Sequence, residues 1–97
     1  MYAVIFKAKI NSLDKQYTQM AKQMRDLAIS HYGCTDFIAT TQDDNEIAVS
    51  YWPDLESIKK WKQDFSHLKA QKLGAEKWYK HYEVEVVEIL RHYQSLA

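Results

Sequence analysis

The chain has 97 residues, with 13 Lys and Arg against 13 Asp and Glu and a formal net charge of zero. That length suits one compact domain over residues 1–97. A hydrophobic content of 46%, with two glycines and one proline, excludes a disordered or low-complexity chain.

Charge balance also argues against nucleic-acid binding, which normally needs a one-sided basic surface. Cys34 is the single cysteine, so neither an internal disulfide nor a multi-thiolate metal site is possible. No apolar run approaches the roughly 20 residues of a membrane-spanning helix. The opening MYAVIFKAKI lacks the basic head and long apolar stretch of a signal peptide. The expectation is a cytoplasmic protein with no membrane partner. Seven Tyr, three Phe and three Trp make 13% of the chain, more ring surface than a small interior readily absorbs. Some rings are therefore expected to line a cavity or a subunit interface.

From Tyr2 to Ile10 every even position is apolar, a period of two that predicts a strand. Asn11 and Ser12 offer cap oxygens, and Asp14 falls in the first turn of a helix. Leu13, Tyr17, Met20, Ala21, Met24, Leu27 and Ala28 draw one stripe along that helix. Gly33 follows it and suits a left-handed residue. Residues 34–42 and 46–52 flank Asp43-Asp44-Asn45 and predict a hairpin. After Trp52-Pro53, Asp54 caps a second helix with the stripe Leu55, Ile58, Trp61, Phe65 and Leu68, closed near Gly74. An aromatic connection, Trp78 to Tyr82, leads to a last strand around residues 84–93, whose phase change points to burial on both faces or to a bulge near Glu88.

Strand, helix, strand, strand, helix, strand is the ferredoxin-like βαββαβ order: an α+β fold with both helices on one face of a four-stranded antiparallel sheet. The other face keeps apolar residues, so a homodimer packed sheet to sheet is expected.

Within that order, the run Ser50-Tyr51-Trp52-Pro53-Asp54-Leu55-Glu56-Ser57-Ile58, followed by Trp61-Lys62 and His67, resembles the antibiotic biosynthesis monooxygenase superfamily. The stretch from His67 through Ala70-Gln71, Gly74, Trp78-Tyr79, Tyr82, Val86-Val87 and Arg91 is similar to one bacterial branch of it. The resemblance implies a dimeric α+β barrel. It also implies a monooxygenase that oxidises a small phenolic or quinol-type aromatic with molecular oxygen, using neither metal nor cofactor. A non-catalytic dimer holding a small aromatic ligand is the alternative. A haem-degrading enzyme fits less well. That branch carries an Asn in the first strand, where Lys7 stands here, and a ligating His where Gln71 stands.

His67 is the candidate catalytic residue, because an imidazole titrating near its usual pKa of about 6.5 can remove a phenolic proton. Capping the helix turn is its other possible use. Trp52 and Trp61 are expected to form a flat slot for an aromatic ring, with Tyr51 or Tyr79 supplying hydrogen bonds. Trp78 joins them as a ligand-binding residue, although Trp78, Tyr79 and Tyr82 equally suit a subunit contact. Arg91 is expected to pair with a nearby Glu, and Cys34 to be a small buried residue. The four histidines show no metal-site spacing, and HExxH, CxxC and a glycine-rich phosphate loop are absent.

Overall fold

The computed structural model describes residues 1–96, the side chains of Phe65 and Ser66 excepted. Four strands, β1 (Tyr2–Ile10), β2 (Asp36–Gln42), β3 (Asn45–Trp52) and β4 (Tyr79–Glu88), form one antiparallel sheet in the order β2-β3-β1-β4. This is the expected ferredoxin-like arrangement. Three helices join them: α1 (Lys15–His31), α2 (Leu55–Lys62) and α3 (Phe65–Leu73). No helix among the described residues is long and apolar enough to cross a membrane.

Helix α1 is capped by Asp14 itself, whose carboxylate accepts from the Tyr17 N–H at 2.9 Å. Asn11 and Ser12, the expected caps, instead donate backbone N–H groups to the Trp78 carbonyl. Gly33 follows the helix at φ +83°, where glycine is favoured. The predicted second helix is two. It breaks at Gln63-Asp64, and the Tyr32 hydroxyl donates to Asp64 at 2.6 Å, tying the break to the end of α1. Ile58 and Trp61 are buried, whereas the stripe positions Leu55 and Leu68 are exposed; Phe65 lies outside the described side chains.

After α3 the chain widens into a π-helical turn through residues 74–78, and the Tyr79 N–H reaches back five residues to the Gly74 carbonyl. Strand β4 therefore starts at Tyr79, earlier than expected, and ends at Glu88. The register irregularity falls at the β4 start, where Lys9 faces His81 and Ile10 faces Tyr79. Near Glu88, where a bulge is one of two readings of the phase change, pairing with Tyr2 is regular. The core gathers Val4, Met24, Ala28, Cys34, Trp52, Ile58 and Trp61 between sheet and helices.

Candidate functional site

Strand alternation decides which side chains face the helices. Val4 and Phe6 on β1, Glu46 and Ala48 on β3, Phe37 and Ala39 on β2, and Tyr82 and Val84 on β4 floor a cavity of about 390 Å³. Helix α1 roofs it with Met20, Met24 and Arg25, and the α2–α3 region contributes Trp61, Lys62, His67 and Gln71. Most of the lining is apolar, with a few convergent polar groups, the usual make-up of a small-molecule site.

One polar group is His67. Its ring meets the Trp61 indole edge-on at 4.4 Å between centroids. Its Nδ1 is buried without a hydrogen-bond partner among the described residues. Burial, reinforced by the positive charge of Lys62, depresses its pKa to about 4. The expectation of an imidazole titrating near neutrality therefore gives way to one that stays neutral down to acid pH. Trp61 is held in turn by its indole N–H on the Met24 carbonyl (3.2 Å) and by tilted packing on Trp52 at 5.1 Å.

The second polar centre is Glu46, 7% exposed. Tyr17 and Tyr79 donate their hydroxyls to its two carboxylate oxygens, Tyr79 at 2.6 Å. Burial pushes the Glu46 carboxyl above its usual range, with the Tyr79 hydrogen bond holding it partly back. Burial and the neighbouring carboxylate together raise the Tyr79 phenol. Trp78 stands edge-on to Tyr17 at 5.4 Å and donates its indole N–H to Asp14.

Of the residues singled out from sequence, His67, Trp61, Trp78 and Tyr79 line this cavity together. Trp52 does not. It is fully buried, its indole N–H satisfied by Ser50 Oγ at 2.8 Å, and it reaches the site only by backing Trp61. Tyr51, one residue out of phase, belongs to the opposite sheet face, opposite Ala3 in the register. Glu46 and Tyr17 escaped the sequence reading. Glu46 follows a polar turn and resembles a solvated hairpin residue, yet it shares the inward parity of Ala48, Ser50 and Trp52, and that parity was the available signal.

Lys7, the first-strand position compared with the haem-degrading branch, also lies on the outer face and pairs with Glu83 and Glu85. Gln71 does line the cavity. No group of three or more His, Cys, Asp and Glu side chains among the described residues is placed to hold a metal ion.

No protein-family model matches the chain. Solved structures do. A variant of SnoaB, a cofactor-independent oxygenase from Streptomyces nogalater, superposes with a TM-score of 0.77 at 6% identity over 94% of each chain. Rv0793 from Mycobacterium tuberculosis gives 0.77 at 9% identity, covering 97% of this chain and 100% of that one. An antibiotic biosynthesis monooxygenase gives 0.74 at 10% identity over 94% and 100%. The fold is that of the antibiotic biosynthesis monooxygenase superfamily, as the Trp52-Pro53-Asp54 region and the second half of the chain suggested. At the level of sequence, the uncharacterized protein YqjZ of Bacillus subtilis (strain 168) is 32% identical over 91 residues, which are 93% of this chain and 80% of YqjZ. The chain belongs to the family of YqjZ.

Proposed function

We propose that the protein is a cytoplasmic homodimeric monooxygenase that oxidises a small phenolic or quinol-type aromatic with molecular oxygen and no cofactor. The observation that carries this reading is the His67 imidazole in the wall of an apolar cavity, packed against Trp61, with a buried Nδ1 that has no hydrogen-bond partner among the described residues. SnoaB, which shares the fold, is itself a cofactor-independent oxygenase. Trp61, Trp78 and the rings of Phe6 and Tyr82 supply flat surfaces for an aromatic ligand. His67 accepts the phenolic hydrogen bond at Nδ1. Because the imidazolium is disfavoured there, the proton passes on to water, while the Lys62 charge that disfavours it favours the phenolate.

The phenolate gives one electron to oxygen, and the resulting radicals join at a ring carbon bearing hydrogen. The hydroperoxide then loses water. One oxygen atom ends in the new ring carbonyl and the other in water, which carries away the phenolic and the ring hydrogen.

A second reading rests on the same imidazole. A group that protonates only near pH 4 is a weak base, which favours a dimeric protein that binds an aromatic ligand without turning it over. Oxygen uptake on a panel of phenols and dihydroxyarenes separates the two. The oxygenase reading expects substrate-dependent uptake that His67→Ala lowers by roughly 10²- to 10⁴-fold. The binding reading expects ligand-induced quenching of tryptophan fluorescence with no uptake.

A further inference from the structure

Glu46 is the feature of the cavity that the proposed chemistry leaves unused. A carboxylate taken out of water costs several kcal/mol unless it is compensated, and here no cation among the described residues pairs with it. Its two hydrogen-bond partners are phenols, Tyr17 on Oε1 and Tyr79 on Oε2. A carboxylate accepts at about four positions, so each oxygen keeps one free. The sheet neighbours facing Glu46 in the register, Ala8 on β1 and Thr41 on β2, are small. Glu46 lines the same cavity as His67.

The register also separates the two centres. Trp61, which carries His67, packs against Phe37, and Phe37 sits opposite Ser50. Ser50 and Glu46 are four residue steps apart along β3, about 13 Å at ~3.3 Å per residue.

We infer that Glu46, clamped by Tyr17 and Tyr79, is a second ligand-binding site that takes a neutral hydrogen-bond donor, a hydroxyl, on the end of the ligand remote from His67. This rests on the reading of the cavity as an aromatic-ligand site. It adds that the ligand carries polar groups at both ends and that no anionic group enters at the Glu46 end, where it would meet a buried carboxylate.

The test is binding without turnover: anaerobic titration of the full-length protein, read by tryptophan fluorescence. The probes are a naphthalenediol with hydroxyls at opposite ends of the ring system and the naphthol lacking one of them. A hydrogen bond to a charged acceptor is worth roughly a tenfold to hundredfold preference for the diol. Glu46→Gln reduces that preference to within about threefold. Equal affinity of the two probes for the wild-type protein overturns the inference alone. Failure of both to bind overturns it together with the aromatic-ligand reading. Oxygen uptake plays no part, so an inactive protein that prefers the diol still supports the site. If Glu46→Gln does not fold, Tyr79→Phe decides. Freeing one carboxylate oxygen increases the diol preference, and a decrease shows that Glu46 only anchors the two tyrosines.

Discussion

The imidazole of His67 and the indole of Trp61 meet at 77°, edge to face, with their ring centroids 4.4 Å apart. Trp61 cannot yield, because Trp52 backs it and the Met24 carbonyl holds its N–H. The histidine is thus presented to the cavity by a stack that begins in the core, and its basicity is set by that burial.

This arrangement predicts an acid-sensitive fold. With a native pKa of about 4 against about 6.5 for an unperturbed imidazole, the unfolded chain binds the extra proton between those values. The His67 contribution is therefore fully present above pH 6.5 and lost progressively as pH falls toward 4, by up to ~3 kcal/mol. Urea unfolding of wild type and His67→Gln at pH 7 and pH 4.5 should show the wild type losing more stability than the variant. Equal losses would remove the buried imidazole from the account. For the same reason, turnover should not rise through pH 6.5.

A second expectation concerns Gly74. A methyl group there would sit 3.1 Å from the Tyr79 ring, closer than carbon atoms normally pack. Gly74→Ala should push the ring aside, weaken its hold on Glu46, and cost about 1–2 kcal/mol as overpacking. Thermal unfolding checks the stability. Tyrosine ultraviolet absorbance at alkaline pH checks the ring, because a displaced Tyr79 should ionise more readily than the buried one.

A third concerns association. Ile38 and Ile47 lie 57% and 43% exposed on the outer sheet face, near Val49 and Tyr51. Sheet-to-sheet dimerisation through this face predicts that Ile38→Lys with Ile47→Lys gives monomers in sedimentation at micromolar concentration, whereas the unchanged protein sediments as a dimer. A wild-type monomer under those conditions would refute it.

The strand and helix order was legible because its signals are local. Period two fixes Tyr2–Ile10, and Asp54 caps its helix through the Ser57 N–H as expected. The break at Gln63-Asp64 was hidden because the stripe from Ile58 through Trp61 to Leu68 runs straight across it; the Tyr32 hydroxyl that ties the break down lies 32 residues away in sequence. The candidate site was half legible for the same reason. His67 and Trp61 announced themselves by residue type. The Glu46–Tyr79 pair spans 33 residues, and only a sheet register reveals it.

Strand β1 comes first along the chain yet occupies an inner place in the sheet, between β3 and β4. During synthesis it can pair early with β3, Val4 against Ser50. Its other edge waits for β4, where Tyr2 meets Glu88. Until then a row of unpaired amides runs beside Val4 and Phe6, a template for any passing strand. Closure across so long a loop is also slow. An aggregation hazard therefore sits on the β4-facing edge of β1 until β4 pairs with it.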